Sequence, residues 1–318
     1  MRLKLDATSA LQKLRALVSE YQGMRTSFQA TFRIWPLAIF WDFLARTRLA
    51  LVWSRLQSTL SIPLRLRNGC RLYARPFTID EVVIREVWSD EVYSPRMIRD
   101  LARGGLVIDI GAHIGIFALF AISTGLATRV LCYEPFLANF RLLNKNIKEN
   151  NLAGVQAFPL AVLDRRGNDV LYSRDSTNTG GHSFFLEGAA STVVKTITLE
   201  DVFASNNVER CELLKIDAEG SEYRILMGAP RSVLQRVNSI ALEYHVFGER
   251  DRHRLENLRN FLDQNGFSVS VRPNRTLKGG ILYAIRDEDN RGVLHPEQSP
   301  PVVARPRGPS DKTPATLD

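Results

Sequence analysis

Cysteines are few in this sequence of 318 residues. There are three, Cys70, Cys132 and Cys211, and none of them lies in a CxxC pair or a Cys/His cluster. An odd number of widely spaced cysteines excludes a paired disulfide scaffold and a zinc ribbon. We therefore expect the protein to work in the reducing cytoplasm.

Long hydrophobic runs are lacking as well. The longest charge-free stretch of the apolar N-terminal part, Ile34 to Trp41, has eight residues, and charged residues interrupt the first twenty positions. A membrane-spanning helix needs roughly 20 apolar residues, and a secretory signal needs an uninterrupted apolar run. We expect neither a transmembrane helix nor an export signal.

Positive charge is concentrated at one end of the chain. The net charge is +8, but residues 1–60 hold nine Lys or Arg and three Asp or Glu, which leaves +2 for residues 61–318. A nucleic-acid-binding surface needs clustered basic residues that attract phosphates. Because the body of the chain is nearly neutral, we expect no nucleic-acid partner.

Three segments of different composition follow one another. Residues 1–62 predict a helical extension, residues 63–290 predict a globular body, and residues 291–318, with six of the 14 prolines, predict a disordered tail. The extension is expected to pack on the body or on a second copy in a homodimer, because Pro36 and the apolar stretch around it favour burial. The alternative is a basic amphipathic anchor in peripheral contact with an anionic membrane.

Strand and helix patterns alternate through the body. An Asn68-Gly69 turn predicts a hairpin over 64–73, and residues 81–103 predict a helix before the core. The alternation that follows is typical of a parallel, doubly wound α/β sheet, and a polar insertion at 164–192 predicts a small hairpin and a loop near the site. The predicted core strands are 106–110, 129–133, 155–160, 213–216, 239–244, 267–272 and 281–286, and the predicted core helices are 115–124, 136–149, 221–227 and 252–265.

A glycine-bearing turn follows the first core strand. The segment Leu106–Phe117, LVIDIGAHIGIF, contains Asp109 and then Gly111 and Gly115 at the start of a helix. Glycines let the backbone approach a ligand, and free N–H groups at a helix start favour an anionic group. Glu134 ends the second strand, 23 residues after Gly111, where an acid accepts hydrogen bonds from both ribose hydroxyls. The G-A-H-I-G spacing lacks the middle glycine of a dinucleotide fingerprint, so it disfavours NAD and favours a smaller adenosyl ligand.

Four segments carry a family likeness that covers about residues 75–290. They are VIDIGAHIGIFALFA, YEP with the following Asn139, PLAVLDRRG and, most specifically, LLKIDAEGSEYRILMGA. These segments resemble class I S-adenosylmethionine-dependent methyltransferases, and more narrowly the FkbM family. The resemblance implies a Rossmann-like, seven-stranded class I methyltransferase fold with S-adenosyl-L-methionine as cofactor. It also implies methylation of a hydroxyl on a sugar, a glycolipid or a polyketide-type natural product.

The resemblance further implies which residues bind the cofactor. They are Asp109, Gly111 and Gly115 for the methionine moiety, Glu134 for the ribose, and Ala161 with Val162 for the adenine. His113 stands in the same loop where the family usually has asparagine. It keeps a polar side chain, and we expect it to make the affinity for the cofactor depend on pH.

Acidic and basic side chains gather at the carboxyl edge of the predicted sheet, where open α/β sheets bind their ligands. Strand 213–216 and strand 239–244 lead to Lys215, Asp217, Glu219, Glu222, Glu243 and His245. An alcohol acceptor needs a base when it is methylated. The catalytic candidates are His245 as general base, Asp217 or Glu222 to orient the hydroxyl or take its proton, and Lys215 to pair with these acids or stabilise an alkoxide.

Structural roles stay open for the same residues. Lys215 can pair with an acid inside the strand, His245 can be a satisfied core histidine, and Glu219 can cap the following helix. The acids could also hold a divalent ion, but no spacing is diagnostic, so no metal site is predicted. In the TNTGGHSFF loop, Asn178 and His182 are acceptor-side candidates or parts of a flexible turn.

The sequence therefore predicts an O-methyltransferase with a small-molecule or glycan acceptor. The missing middle glycine disfavours an NAD-linked oxidoreductase, and the neutral body disfavours a nucleic-acid methyltransferase. A methyltransferase of another acceptor class, such as protein, and a binding module that keeps the fold without activity remain as alternatives. The presence of Asp217, Glu222 and His245 argues against the inactive module.

Overall fold

The computed structural model describes residues 61–66, 68–75, 78–173, 182–183, 190–245, 249–273 and 279–287. The predicted tail at 291–318, Asn178 and nearly all of the extension predicted at 1–62 lie outside these residues. The choice between a homodimer contact and a membrane contact for the extension therefore stays a prediction. No helix in the described ranges is long and apolar enough to cross a membrane.

Strands and helices alternate along most of the described chain. In chain order the elements are β1 (Ile62–Arg65), β2 (Arg71–Ala74), α1 (Asp80–Trp88), α2 (Arg96–Ala102), β3 (Gly105–Ile110), α3 (Ile116–Ser123), β4 (Ala127–Tyr133), α4 (Leu137–Glu149), β5 (Val155–Phe158), β6 (Ala161–Leu163), β7 (Gly167–Ser173), β8 (His182–Ser183), β9 (Ala190–Thr198), α5 (Leu199–Ser205), β10 (Cys211–Ile216), α6 (Glu222–Met227), α7 (Arg231–Leu234), β11 (Val237–His245), α8 (Glu249–Gln264), β12 (Phe267–Pro273) and β13 (Gly279–Arg286).

A hairpin and two short helices precede the core. β1 and β2 pair antiparallel, and Gly69 in their turn has φ +89°, so the predicted hairpin is confirmed. The stretch 81–103, predicted to be helical, contains two helices with a break between them, because α1 ends at Trp88 and α2 begins only at Arg96. Pro95 stands at the N-cap of α2 with ψ 157°, and the residue before a proline is disfavoured in helical geometry.

Seven strands form the central sheet, in the order β12, β13, β11, β10, β3, β4, β5. The neighbouring strands from β11 to β5 run parallel, whereas β13 runs antiparallel to both β11 and β12. The predicted seven-stranded α/β class is confirmed, and strictly parallel pairing is wrong for the last strand. Only a short connection, 274–278, joins β12 to β13, and parallel neighbours need a crossover of a dozen or more residues.

The central strands are buried on both faces. Val107 and Leu213 belong to one apolar cluster and Ile108 and Leu214 to another, as expected for alternate positions along strands. The helix α3 is apolar all round, and residues 116–121 are all buried in the first of these clusters. Such a helix is stable only inside a core, which fixes the loop before it against the sheet.

The insertion forms a second sheet of four strands, in the order β6, β9, β7, β8. β7 and β9 are an antiparallel pair, which confirms the predicted hairpin at 164–192. The sequence pattern missed the end of β9 and the helix α5 that follows it. α5 begins with a capping box, in which Asp201 N donates to Thr198 Oγ1 at 3.1 Å and Thr198 N donates to Asp201 Oδ2 at 2.9 Å.

Candidate functional site

The loop after β3 contains two glycines in conformations that disfavour other residues. Gly111 and Gly115 have φ of +75° and +82°. A Cβ on Gly111 would lie 1.8 Å from the carbonyl oxygen of Asp217, and one on Gly115 would lie 2.4 Å from Leu143 Cδ1. Protein segments therefore approach both glycines closely, and at Gly111 this contact holds the loop after β10 against the loop after β3. Close approach of a ligand to these glycines stays a prediction.

Glu134, at the end of β4, is a buried carboxylate with a fixed orientation. Its Oε2 accepts a hydrogen bond from His113 N and its Oε1 accepts one from Phe136 N, both at 2.8 Å. Burial raises the pKa of Glu134 to about 7, against the opposing effect of His113 and of the two backbone donors. Each oxygen of a carboxylate has a second lone pair, so Glu134 can still accept hydrogen bonds from a diol.

His113 occupies a strained position in the same loop and meets an ion pair. Its φ is +52°, a conformation in which asparagine, aspartate and histidine are enriched. Its Nε2 lies 3.2 Å from Arg75 Nη2 and 3.2 Å from Asp80 Oδ1, and these two residues form a buried, two-point ion pair with each other. Burial would raise the pKa of Asp80, but His113 and Arg75 together hold it well below its usual range. Sequence reasoning did not single out Arg75 or Asp80, because neither lies in a recognisable motif.

Asp109 and Lys215 face each other across neighbouring strands. They are paired in the register of β3 and β10, both are buried, and Lys215 Nζ lies 3.0 Å from Asp109 Oδ1. Lys215 Nζ also donates to the carbonyl of Gly111 at 2.9 Å. Burial lowers the pKa of Lys215, but the charges of Asp109 and Asp217 outweigh this effect and raise it. Asp109 Oδ2 is buried and accepts no hydrogen bond from any described residue.

Ala161 and Val162 are buried in β6, which follows the third strand of the parallel half of the sheet. Phe136, two residues beyond Glu134, packs against a small cluster that contains Ala161. Ala161, one of the two residues predicted to flank the adenine, therefore lies close to the segment that follows Glu134, the acid predicted to bind the ribose. The role of Ala161 and Val162 in binding stays a prediction.

Buried Glu222 and half-buried His245 lie together near the loop after β10. Glu222 Oε1 accepts hydrogen bonds from Ala218 N at 3.1 Å and Gly220 N at 3.0 Å, so it fixes the loop backbone. His245 Nδ1 lies 3.5 Å from Glu222 Oε1, and its Nε2 lies 3.6 Å from Glu219 Oε2. Burial lowers the pKa of His245, but its hydrogen bond and charge interaction with Glu222 outweigh burial and raise the pKa to about 10. With this pKa the imidazole carries its proton at neutral pH, and the general-base role expected for His245 stays a prediction.

Three acids form what we call the carboxylate cluster: Glu86, Asp217 and Glu243. Lys215 pairs in register with Ala241 of β11, so Asp217 and Glu243, each two residues further, lie on the same face of the sheet. Burial raises the pKa of Glu243 to about 8 and that of Glu86 to about 7, and the charge of Asp217 adds to both shifts.

Tyr93 joins two members of this cluster. Its hydroxyl lies 2.8 Å from Glu243 Oε2 and 3.0 Å from Asp217 Oδ2. Sequence reasoning missed Tyr93 and Glu86 because both were assigned to one unremarkable helix. Pro95 disfavours helical geometry at the residue before it, and this would have indicated that Tyr93 lies in a turn between two helices.

Among the residues that the structure describes, no group of three or more His, Cys, Asp or Glu side chains is arranged to hold a metal ion. His182 is described only as part of the short strand β8, and its predicted contact with an acceptor stays a prediction.

Comparison with known proteins gives a family for this arrangement. Residues 109–269 match the Methyltransferase FkbM domain. The chain is 28% identical over 258 residues to AMB antimetabolite synthetase AmbE of Pseudomonas aeruginosa, covering 69% of this chain and 12% of that protein. It is 27% identical over 214 residues to 31-O-demethyl-FK506 methyltransferase FkbM of Streptomyces tacrolimicus, covering 57% and 81% of the two chains. It is 26% identical over 180 residues to hexuronic acid methyltransferase AglP of Haloferax volcanii, covering 55% and 72%.

The seven-stranded mixed sheet, the glycine turn after β3 and the acid after β4 are features of the class I, Rossmann-like methyltransferase fold. The family match spans half of the chain and includes the loops after β3, β4 and β10. The chain therefore belongs to the FkbM methyltransferase domain family and is a methyltransferase with S-adenosylmethionine as cofactor. Both the predicted family and the predicted cofactor are confirmed.

Proposed function

We propose that this methyltransferase transfers the methyl group to a hydroxyl of a sugar, glycolipid or natural product, so that its partner is a small-molecule or glycan acceptor. The observation that carries the proposal is the carboxylate cluster beside the loop after β3, because a hydroxyl must lose its proton as it is methylated and a nearby carboxylate can accept that proton. Two relatives, a 31-O-demethyl-FK506 methyltransferase and a hexuronic acid methyltransferase, are named for acceptors of this kind, which supports the proposal.

The cofactor residues are proposed from the fit of their donors and acceptors. Asp109 Oδ2 is a buried acceptor without a hydrogen-bond donor among the described residues, which suits the ammonium of a methionine moiety. Glu134 presents a carboxylate of fixed orientation, which suits the two ribose hydroxyls. The remaining members of the proposed set are Gly111, His113 and Gly115 in the loop, and Ala161 with Val162 beside the adenine.

The residues at the carboxyl edge are proposed to position the acceptor and manage its proton. When bound, S-adenosylmethionine supplies a methyl group activated by a positively charged sulfur. Asp217 is proposed to contact the acceptor, and its side chain is 24% exposed, so it can be reached. Lys215 holds Asp109 and the Gly111 carbonyl in place, Glu222 holds the loop backbone, and His245 supplies a fixed positive charge.

A transfer assay tests the proposal. The protein is incubated with S-adenosylmethionine carrying an isotope-labelled methyl group and with panels of glycans, hydroxylated metabolites, amines, peptides and tRNA. Label on an oxygen of a glycan or metabolite, identified by NMR, is expected. Asp217→Asn should abolish the transfer, whereas Glu149→Gln, an exposed site at the end of α4, should not. Transfer only to amines, peptides or tRNA would contradict the proposal.

We also propose a cytoplasmic location, since Cys70, Cys132 and Cys211 are all free thiols and two of them are buried. The possible homodimer or peripheral membrane contact through residues 1–60 remains a proposal about a segment outside the described residues. Co-sedimentation with anionic vesicles at low salt would favour the membrane contact. Failure to co-sediment would leave the packing or homodimer alternative.

A further inference from the structure

Two carboxylates share one hydrogen-bond donor in the carboxylate cluster. Tyr93 Oη lies 2.8 Å from Glu243 Oε2 and 3.0 Å from Asp217 Oδ2. A phenol has a single proton, so it can satisfy only one of the two carboxylates fully. When both acids are ionised, the other carboxylate has no hydrogen-bond donor of this kind among the described residues, and the hydroxyl of a bound acceptor can provide one.

The two carboxylates differ in their cationic neighbours. Lys215 Nζ lies 3.8 Å from Asp217 Oδ2. Within the described residues, Glu243 forms no ion pair of this kind. A nearby cation favours the charged form of an acid and weakens it as a base. Among the described residues, Glu243 is therefore the acid of this pair whose charge is not balanced by an ion pair with Lys215, which makes it the candidate proton acceptor.

Tyr93 is rigidly placed while the carboxylates remain within reach of a ligand. The Tyr93 residue is 3% exposed, its ring meets Phe117 edge-on at 5.9 Å, and Lys215 Nζ lies 5.0 Å from the ring centroid. Glu243 and Asp217 are both partly exposed. Burial and the two carboxylates raise the pKa of Tyr93, so its hydroxyl keeps its proton and stays a donor.

We propose that Glu243 is the catalytic base that takes the proton of the acceptor hydroxyl, and that Tyr93 is a positioning residue that aims it. The inference rests on the proposed O-methyl transfer. The acceptor O–H bond breaks and its proton goes to a Glu243 oxygen. The electron pair left on the acceptor oxygen forms the new O–C bond. The C–S bond of the S-adenosylmethionine co-reactant breaks, and its electron pair stays on sulfur.

Several charged groups face Glu243 and set its titration. Burial raises the pKa of Glu243 to about 8, and the charges of Asp217 from the β10 loop and Glu86 from α1 add to this shift. His245 on the same strand and the Tyr93 hydroxyl lower it. Lys215 on β10 forms its ion pairs with Asp109 and Asp217. A base must be deprotonated, so kcat/KM should rise with pH and level off above about pH 8.

The test compares Glu243→Gln, Tyr93→Phe and the wild-type protein, with Glu209→Gln at an exposed site as the matched control. Glu243→Gln should lower kcat by about a hundredfold or more. It should leave the binding of S-adenosylhomocysteine, measured by calorimetry, unchanged. Tyr93→Phe removes the donor that lowers the pKa of Glu243, so the rise of kcat/KM should move to higher pH. A merely structural tyrosine would not shift this profile.

Thermal unfolding gives a readout that needs neither cofactor nor acceptor. An acid with a raised folded-state pKa destabilises the fold as pH increases through the interval between its unfolded and folded pKa values. The Tm of Glu243→Gln minus that of the wild type should therefore increase between about pH 5 and about pH 9, and that of Glu209→Gln should not.

The outcomes separate this assignment from the proposed function. Wild-type transfer to a hydroxyl that survives in Glu243→Gln but is lost in Asp217→Asn overturns the assignment and leaves the proposed function standing. An unchanged pH profile in Tyr93→Phe overturns the positioning role. A wild-type protein that methylates no hydroxyl but does methylate another acceptor class overturns the proposed function, and the assignment with it.

Discussion

Affinity for the cofactor should depend on the ionisation of Glu134. Its carboxylate is buried, its pKa is raised to about 7, mainly by burial, and its orientation is fixed by His113 N and Phe136 N. If the carboxylate accepts the ribose hydroxyls, only its charged form binds well. Ionisation at a pKa of about 7 leaves roughly one tenth of the molecules charged at pH 6 and nine tenths at pH 8. The affinity for S-adenosylhomocysteine should therefore fall about tenfold from pH 8 to pH 6.

Substitution should remove both the affinity and its pH dependence. Hydrogen bonds to a charged group contribute about 1.5–3 kcal/mol, which corresponds to a loss of at least about tenfold for Glu134→Ala. Glu134→Gln should also bind more weakly and should show the same affinity at both pH values. Titration calorimetry of the wild type, the two variants and the exposed control Glu149→Gln measures these differences. A folded Glu134→Gln protein with wild-type affinity, or with the wild-type pH dependence, would show that Glu134 does not bind the ribose.

Three further predictions concern stability, each measured by thermal or urea unfolding. Gly111→Ala should lower the free energy of unfolding by much more than Gly104→Ala, since both glycines have positive φ but only at Gly111 would the Cβ strike a backbone atom, 1.8 Å away. Equal losses would contradict the proposed clash. Asp80→Asn should cost about 3–5 kcal/mol, because it leaves Arg75 buried without its counter-charge, and a loss below about 1 kcal/mol would contradict this role. The neighbouring acids raise the pKa of His245 to about 10, against the effect of burial. The contribution of its charge to the free energy of unfolding should therefore be complete below pH 6.5, the ordinary pKa of histidine, and should disappear as pH rises through about 10. His245→Gln should remove that part of the pH dependence.

The arrangement of the sheet could be predicted from local patterns because the central strands are short apolar runs between amphipathic helices. Val107 and Ile108, for example, are buried on opposite faces, as a continuous apolar run requires. The direction of β13 depends on the length of its connection to β12, which hydrophobic periodicity does not report. The end of β9 and the helix α5 were missed although Thr198 and Asp201 have the spacing of a capping box.

The residues at the carboxyl edge of the sheet could be predicted from the sequence, because they end or directly follow apolar strands. Lys215, for example, pairs in register with Asp109 on one neighbouring strand and with Ala241 on the other. The chemical state of these side chains was not accessible. The ordinary pKa of a histidine suits a general base. In the folded chain burial lowers the pKa of His245, but the nearby Glu222 outweighs burial and raises it to about 10. Tyr93 comes from a turn more than a hundred residues before Asp217, and only the folded chain brings the two together.

Titration calorimetry of the purified protein with S-adenosylmethionine and, in a parallel cell, with NAD tests whether this chain is an S-adenosylmethionine-dependent methyltransferase. We expect micromolar binding of S-adenosylmethionine, weakened in Glu134→Ala, and no binding of NAD. A folded protein that binds NAD, or that binds no S-adenosylmethionine at any pH between about 6 and 9, would contradict this expectation.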